Sequence, residues 1–362
     1  MHISELDTPA VLIDLDLLER NLRRAQDYLT SHGILFRPHI KTHKLPQIAR
    51  MQVQYGASGL TCAKIGEAEV MADAGIEDLF IAYPIWGEQK LQRLLALAKR
   101  CRLTVAFDTP EVAEGISRAA QQAGQEIRAL VEIDTGTGRC GAAPGEQTLS
   151  LCRKVDDLPG LKFAGIMTYQ GYVGGSPSQR EALMKEENEK VEEVLADLRK
   201  ASLECEVVSG GTSPSLYLSH FLPAVTENRS GTYVFNDRNM VSSQAVTWAD
   251  CAMRLAVTVV SDAVPGQIII DGGSKTFSGD RCGAWEGFGR VVEDTDLLFL
   301  KMNEEHGYVR RNGSVKQHPV GERLHVIPNH VCTAMNMHDE VWVHRNGEVQ
   351  DRWEIAARGK IR

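Results

Sequence analysis

The sequence predicts an α/β fold in which a (β/α)8 barrel is followed by a second, C-terminal, mainly antiparallel β domain. Eight strand-like apolar runs alternate with helical patterns over about 200 residues, which favours a closed parallel barrel over an open doubly wound sheet. After about residue 240 the alternation stops, and short strand-like runs separated by turn signals follow. We therefore predict a barrel over 14–240 and a β domain formed by 1–13 together with 241–362.

The composition is that of an acidic, enzyme-sized protein. The 362 residues include 40 basic and 48 acidic side chains, a net charge of −8 that offers no footprint for nucleic acid. No apolar run reaches the roughly 18–20 residues that span a bilayer, and the polar start does not resemble a signal peptide. The eight cysteines are scattered without a CxxC pair, as is typical of reduced thiols. We expect a cytoplasmic enzyme that binds neither nucleic acid nor membrane.

The first elements are a strand and an amphipathic helix. The apolar run 10–13 follows Leu6 to Pro9, and residues 15–31 then carry five apolar side chains on one helical face: Leu17, Leu18, Leu22, Ala25 and Leu29. Barrel strands are expected near 35–40, 60–65, 79–83, 103–107, 128–133, 163–168, 205–208 and 231–235. Helices are expected between most of them, at 44–55, 66–74, 88–100, 110–123, 145–157 and 178–203.

The C-terminal part is punctuated by turn signals rather than by helices. Pro265-Gly266, Asn312-Gly313 and Asn346-Gly347 separate strand-like runs. These runs are expected at 253–260, 267–271, 297–301, 306–311, 322–328, 339–345 and 348–355. We interpret Asp271 to Ser274 as a turn within this β domain.

The most unusual stretch is Arg37 to Lys44, which follows the apolar run 34–36 and contains no acid. Its two lysines and two histidines would lower each other's proton affinity if they converged on a pocket. A lysine with a neutral amine can form a Schiff base with an aldehyde cofactor. For these eight residues alone, a solvated basic loop is an equal alternative.

Other chemically active side chains follow the later barrel strands, where functional groups of a parallel barrel gather. Lys41 follows the first strand, and a glycine-rich turn at 209–213 follows the seventh. The remaining members of this rim are Glu132, Asp134 and Arg139 at the end of the fifth strand and in its loop, Tyr169 and Gln170 at the end of the sixth, and Tyr233 within the eighth. Their convergence on one rim is stronger evidence for a site than any one motif.

The turn at 209–213 has two interpretations. Its sequence, Ser209-Gly210-Gly211-Thr212-Ser213, offers bare backbone N–H groups and hydroxyls to a phosphate, ahead of a helix expected at 214–219. Glycine pairs after strands are often only tight turns, and the sequence of this turn alone favours that simpler interpretation.

The tripeptide His330-Val331-Cys332 is a third cluster of interest. On an extended strand, positions i and i+2 project to the same side, so an imidazole and a thiolate can chelate one cation. Zinc suits this nitrogen and sulfur pair better than magnesium or calcium. A buried cysteine beside an incidental histidine is the alternative, and the tripeptide alone favours it.

Together these stretches resemble the D-threonine aldolase and D-serine dehydratase family, fold-type III pyridoxal phosphate enzymes related to alanine racemase. The matching segments run in order over almost the whole chain: 6–9, 37–44, 63–69, 132–141, 209–212, 231–235 and 328–332. The resemblance implies a barrel that carries the cofactor, a C-terminal β domain, and a head-to-tail homodimer with sites near the interface.

The resemblance also implies roles for individual residues. Lys41 would hold pyridoxal phosphate covalently, and Lys44 would be an outer charge. Arg139, Tyr169, Gly210, Gly211, Thr212 and Tyr233 would bind the cofactor, while His330 and Cys332 would hold a divalent metal, for which zinc is preferred and manganese and magnesium are the alternatives. One departure stands out, because relatives often carry a histidine after the strand-six tyrosine, where this chain has Gln170-Gly171-Tyr172.

The activity implied by the resemblance is that of a lyase acting on D-amino acids with a β-hydroxyl group. Loss of water followed by deamination is one outcome, and cleavage to glycine and an aldehyde is the other. Family dehydratases tend to carry His-x-Cys and aldolases His-x-Asp, so Cys332 favours dehydration. Further alternatives are an amino-acid racemase, which needs no metal, and a non-catalytic pyridoxal phosphate carrier, which lacks a β domain.

Overall fold

The computed structural model of the protein describes residues 1–171 and 173–362, and it confirms the predicted fold class. The chain forms two compact units. The barrel unit contains residues 24–41, 46–231 and 360–362, and the β unit contains residues 1–23, 42–45 and 232–359. Among the described residues, no helix is long and apolar enough to cross a membrane.

The chain begins with strand β1 (Ala10–Asp14) and helix α1 (Leu15–Ser31), both where the sequence predicts them. Leu18, Leu22 and Leu29 are buried, as the apolar stripe of α1 requires. A left-handed residue, Gly33, follows the end of the helix.

Eight parallel strands form the barrel sheet. They are β2 (Leu35–Phe36), β3 (Leu60–Cys62), β4 (Asp78–Ile81), β5 (Arg102–Phe107), β6 (Ile127–Glu132), β7 (Leu161–Met167), β8 (Val207–Gly210) and β9 (Glu227–Asn228). Their order is β2-β9-β8-β7-β6-β5-β4-β3. A parallel bridge between His39 and Thr61 closes the ring, since the Thr61 N–H donates to the Pro38 carbonyl and the Ile40 N–H donates to the Thr61 carbonyl, both at 2.9 Å.

Six helices alternate with these strands, close to the predicted positions. They are α2 (Pro46–Gln54), α3 (Ile65–Asp73), α4 (Glu88–Ala98), α5 (Pro110–Gln122), α6 (Glu146–Asp157) and α7 (Pro177–Lys200). The segment Ser213–Phe221 is a 3-10 helix, and Thr212 precedes its first residue.

The prediction for the eighth barrel strand was wrong. That strand is β9 at Glu227–Asn228, and the apolar run expected to form it begins with a short 3-10 helix, Thr232–Val234. Tyr233 is therefore not in a strand. Tyr233, Val234 and Phe235 are buried, but a short apolar run does not reveal its own backbone period.

The β unit is built on strands that include the N-terminal β1. The others are β10 (Met253–Ser261), β11 (Gln267–Ile270), β12 (Gly289–Val291), β13 (Leu297–Met302), β14 (Gly307–Arg311), β15 (Arg323–Pro328), β16 (Glu340–Arg345) and β17 (Glu348–Glu354). Their order is β11-β14-β13-β12-β15-β10-β1-β16-β17, and an additional β10–β11 pairing closes β10 to β15 into a small barrel. All pairs are antiparallel except β1 with β16.

Two local features of the β unit differ from the sequence interpretation. The short strand β12 was missed, because Gly289-Arg290-Val291 carries no clear alternation of its own. Residues 271–274 are not a simple turn, because they lead into helix α9 (Ser274–Phe277). Another short helix, α8 (Arg238–Ser242), lies earlier in the chain. The Asp271 carboxylate accepts from the Thr8 hydroxyl at 2.6 Å and from the Thr258 N–H at 2.8 Å.

Candidate active site

Lys41 lies just beyond the carboxyl end of the first barrel strand. The extended chain continues past β2 to the bridge at His39, and the Lys41 side chain is exposed two residues later. The Lys41 N–H donates to His39 Nδ1 at 3.3 Å, which fixes the backbone that carries the amine. This is the rim where a parallel barrel places its reactive groups.

The other charged side chains of the stretch 37–44 do not form one cationic cluster. Arg37 pairs with Glu227 at 2.6 Å and with Asp78. Burial alone would lower the pKa of Arg37, but these two carboxylates raise it above its usual value. Lys44 is buried in the β unit, where its Nζ lies 3.4 Å from the Ala357 carbonyl oxygen.

The two histidines of this stretch act as backbone acceptors. His39 Nδ1 accepts from the Lys41 N–H, and His43 Nδ1 accepts from the Leu45 N–H at 3.0 Å. A ring nitrogen that accepts a hydrogen bond carries no proton, so both imidazoles are neutral in this arrangement.

Arg139 and Tyr169 stack on each other at the ends of β6 and β7. The Arg139 guanidinium lies 4.5 Å from the centre of the Tyr169 ring and 3.8 Å from a carboxylate oxygen of Glu132. Burial raises the pKa of Glu132, although the charges of Arg229 and Arg139 oppose that rise. The pair presents a cation and an aromatic face at the same rim as Lys41.

Asp134 organises the loop that carries Arg139. Its carboxylate accepts from the backbone N–H groups of Gly136, Thr137 and Gly138 at 2.8–3.1 Å. Burial would raise the pKa of Asp134, but these backbone donors hold it below its usual value. The acid that the sequence suggested as a site residue therefore positions the loop.

The glycine turn, residues 209–213, is closely packed on its inner side. Gly211 has φ +90°, and a Cβ there would lie 2.2 Å from Asn228 Nδ2. A Cβ at Gly210 would lie 3.0 Å from Gln170 Nε2. Glycine is therefore required at Gly211 by both conformation and space.

The chemistry of the barrel rim fits pyridoxal phosphate. Lys41 offers an exposed amine for the aldehyde, and Arg139 with Tyr169 offers a polar and aromatic wall for the ring. The glycine turn leads into the N-terminus of the nine-residue 3-10 helix, where backbone N–H groups suit a phosphate. Thr212 adds a hydroxyl, which lies 2.8 Å from Ser215 Oγ.

Sequence reasoning missed Arg229, which follows β9. Arg229 is buried among the barrel residues, and its Nη2 donates to the Thr168 carbonyl at 2.5 Å. Burial lowers the pKa of Arg229, while Glu132 and Glu227 oppose that change. Placing the eighth strand at 227–228 would have identified this arginine as a rim residue.

Gln170 and Tyr172 belong to the stretch where the sequence leads us to expect a departure from the family pattern. Gln170 is fully buried, and its side chain bonds to Glu187 and to the Gly211 N–H. It therefore faces into the barrel unit. Tyr172 lies outside the described residues.

His330 and Cys332 are close together, but on a different local structure from the one predicted. The strand β15 ends at Pro328, and His330 is the residue before helix α10 (Val331–Met335). The i and i+2 argument from an extended strand was therefore wrong. The two side chains are brought together by the first turn of α10, and Cys332 Sγ lies 3.1 Å from the Thr42 hydroxyl.

The carboxylate of Asp237 orients this pair through a contact with His330. One oxygen of its fully buried carboxylate lies 3.0 Å from His330 Nδ1 and 3.1 Å from the Val331 backbone nitrogen, which donates to it. Burial would lower the pKa of His330, but Cys332 and Asp237 raise it to about 11. Asp237 was not predicted as a site residue. Its position shortly after the predicted eighth strand is the sequence feature that could have identified it.

The donor set of this pair fits a transition metal. With His330 Nδ1 engaged by Asp237, Nε2 is left for a cation next to the Cys332 sulfur, and such a cation would take the place of the imidazolium proton. Among the described residues, no group of three or more histidine, cysteine or acidic side chains could hold a metal. The candidate ligands remain His330 and Cys332.

Tyr233 is buried in the 3-10 helix 232–234 of the β unit. The residue before it, Thr232, has its hydroxyl 3.8 Å from Cys332 Sγ. The segment predicted as a barrel strand therefore lines the candidate metal pair through Thr232.

Comparison with known proteins supports the same family. The alanine racemase N-terminal domain family matches residues 13–239, and a family described as a serine dehydratase domain matches residues 252–344. A D-threonine aldolase from Arthrobacter sp is 34% identical over 362 residues, covering 99% of this chain and 94% of that protein. A D-threo-3-hydroxyaspartate dehydratase from Delftia sp. (strain HT23) is 33% identical over 350 residues, covering 91% and 92%.

Solved structures are similar over nearly the whole chain. A D-threonine aldolase from Filomicrobium marinum has a TM-score of 0.94 at 33% identity, covering 99% of this chain and 98% of that one. A D-threo-3-hydroxyaspartate dehydratase with a cysteine replaced by alanine, described as metal-free, has a TM-score of 0.90 at 31% identity, covering 98% of each chain. The chain therefore belongs to the D-threonine aldolase and D-serine dehydratase family of fold-type III pyridoxal phosphate enzymes, and it is a lyase.

Proposed function

We propose that this protein is a D-serine dehydratase-like lyase that removes water from a D-β-hydroxy amino acid and yields a keto acid and ammonia. The pairing of the His330 imidazole with the Cys332 thiol, braced by Asp237, carries this proposal. A nitrogen and sulfur pair suits zinc. A structure of the related dehydratase described as metal-free supports a metal dependence in such enzymes.

Each residue has a stated role in this proposal. The Lys41 amine holds the cofactor and takes the proton from the substrate's α-carbon. Arg139 and Tyr169 bind the ring, while Gly210, Gly211 and Thr212 bind the phosphate, with Tyr233 nearby. Lys41 would hold pyridoxal phosphate, which would accept electrons from the bonds of the α-carbon, and His330 and Cys332 would hold a divalent cation, which would polarise the departing hydroxyl.

A second candidate is retro-aldol cleavage of D-threonine or a similar substrate to glycine and an aldehyde. The similarity to the D-threonine aldolases from Arthrobacter and Filomicrobium favours it. In that reaction the β-hydroxyl loses its proton and the Cα–Cβ bond breaks. The same residues would then promote cleavage of the Cα–Cβ bond instead of loss of the hydroxyl.

The products distinguish the two candidates. The protein should be incubated with D-serine, D-threonine and D-threo-3-hydroxyaspartate, with keto acid, ammonia, glycine and aldehyde assayed together. We expect keto acid and ammonia. Glycine and aldehyde without any keto acid would overturn the dehydratase proposal, and racemisation that survives chelation would overturn both candidates.

The covalent role of Lys41 has its own test. Borohydride reduction of the loaded protein should leave the cofactor on the peptide that contains Lys41, and Lys41→Ala should abolish the Schiff-base absorbance. Lys64→Ala, at the residue before α3, is the control and should keep both signals. A label on Lys44 or Lys64 would contradict the assignment.

The metal assignment is tested by elemental analysis of the purified protein. We expect zinc in the wild type and its loss in Cys332→Ala, because the sulfur is one of two candidate protein ligands. Cys101→Ala is a matched control, since Cys101 is also partly buried but belongs to the barrel unit. Metal retained in Cys332→Ala would refute the ligand assignment.

We also expect a homodimer, which sedimentation would detect.

A further inference from the structure

Gln170 bridges helix α7 and the glycine turn from inside the barrel unit. It follows the end of β7 by three positions and is fully buried. Its Nε2 donates to Glu187 at 3.0 Å, and its Oε1 accepts from the Gly211 N–H at 2.7 Å. The orientation of the amide is fixed by its partners, since a carboxylate only accepts and a backbone N–H only donates.

The other end of this bridge is a buried carboxylate on α7. Glu187 is fully buried, and the same Oε1 also accepts from the hydroxyls of Thr135 at 2.7 Å and Thr168 at 2.8 Å. A buried acid with several donors is held in one place, because each unmade bond would cost desolvation energy. Glu187 therefore provides a rigid anchor for Gln170.

The bridge acts on one peptide group of the turn. The peptide between Gly210 and Gly211 donates its N–H to Gln170 and accepts at its carbonyl from the Arg229 N–H at 2.8 Å. Both ends of this peptide are therefore held, although Gly211 lies at φ +90° where glycine is otherwise free to move. The direction of the next N–H groups, at Thr212 and Ser213, depends on that peptide.

We propose that Gln170 is a positioning residue that sets the affinity of the glycine turn for the 5′-phosphate of the cofactor. Its own contacts face away from the solvent, so it works through Gly211 rather than by touching the ligand. This inference rests on the proposed function, because it assumes that the turn receives the phosphate of pyridoxal phosphate.

The test compares two probes, pyridoxal 5′-phosphate and pyridoxal, which differ only in the phosphate. Their dissociation constants are measured on the cofactor-free protein by absorbance, for the wild type and for Gln170→Met, which preserves side-chain size without the amide. We expect the preference for the phosphorylated probe to fall about tenfold in the variant, since the Gly211 N–H loses its partner. Pyridoxal binding should change little.

Exchanging the glutamine and the glutamate between positions 170 and 187 gives a second test, in which a hydrogen bond between the two side chains can still form. Gln170→Glu places a carboxyl against Glu187 and should weaken phosphate preference. Combining it with Glu187→Gln restores one donor and one acceptor between the two positions, so the preference should return to within about threefold of the wild type. Gln147→Ala is the control, because Gln147 accepts from the Ala143 N–H at the start of α6.

The outcomes separate this inference from the function on which it rests. Equal losses for both probes, an unchanged preference in Gln170→Met, or no recovery in the double variant would overturn the role of Gln170. Failure of the wild type to bind either probe through Lys41 would instead overturn the proposed function.

Discussion

At the scale of single residues, the candidate metal pair depends on a carboxylate that lies 93 positions away in the chain. Asp237 reaches His330 Nδ1 and the Val331 N–H with the same oxygen, while its other oxygen accepts from the Met240 N–H at 2.9 Å. Partners of this kind fix the tautomer of a ligating histidine and often matter nearly as much as the ligand itself. Asp237 therefore connects the cap of α8 to the orientation of His330.

Asp237→Asn should lower the zinc affinity of the protein by about tenfold or more. The carboxylate accepts hydrogen bonds from His330 Nδ1 and from the N–H groups of Val331 and Met240. An asparagine amide has only one acceptor oxygen and cannot accept from all three. The His330 ring is then less firmly held with Nε2 available to the metal. Zinc affinity is measured by competition with a chromophoric chelator on metal-free protein.

The matched control for this prediction is Asp250→Asn. Asp250 is also a buried capping acid of the β unit, and it accepts from the Thr247 N–H at 2.8 Å. The Asp250→Asn variant should have a lower free energy of unfolding and an unchanged affinity for zinc. Equal losses of zinc affinity in the two variants would show that Asp237 acts only as a cap.

At the scale of elements, capping and packing decide where the helix that carries Glu187 begins. Ser176 precedes α7, accepts from the Gln179 N–H at 3.3 Å, and donates its own N–H to the Gln179 side chain at 2.8 Å. This reciprocal arrangement is a capping box, with Pro177 in the first turn. The long helix was predicted at 178–203, within a few residues of its observed bounds.

Ser176→Ala should lower the free energy of unfolding by about 1 kcal/mol, because the Gln179 N–H loses its acceptor. Urea unfolding measures the change. Glu193→Ala, at an exposed position of the same helix, is the control and should be neutral or slightly stabilising, since alanine favours helix. An effect of Ser176→Ala no larger than that of the control would contradict a role for the cap.

At the scale of the whole molecule, the N-terminal strand completes a sheet made from the C-terminal third of the chain. β1 lies between β10 and β16, and Ile13 pairs with Met253 on one side and Val343 on the other. Ile13 is fully buried. The chain therefore cannot finish this sheet without its first strand.

Ile13→Ala should cost about 2–5 kcal/mol of stability, because it leaves a cavity beside an interior strand of the nine-stranded sheet. Urea unfolding gives the total, and hydrogen exchange should show lost protection in β10 and β16. Val260→Ala, at an exposed position of β10, is the control and should stay within about 0.5 kcal/mol of the wild type. Comparable losses in the two variants would contradict a central role for β1.

Much of the architecture could be predicted because periodicity is a local property. The buried face of α1, the helices of the barrel and most strands of the β unit follow from which side chains alternate along the chain. The errors fall on short segments, such as 231–235 and 289–291, where too few residues are present to define a period. There, partners distant in sequence decide the backbone conformation.

The sequence by itself determined the fold class, the family and the order of the candidate site residues along the chain, because these depend on local patterns and on motif order. Only the tertiary structure decided which charges act together. It paired Arg37 with Glu227 and Asp78, buried Lys44, left Lys41 exposed, and brought Asp237 to His330. A side chain's environment depends on groups far away in sequence, and no local pattern records them.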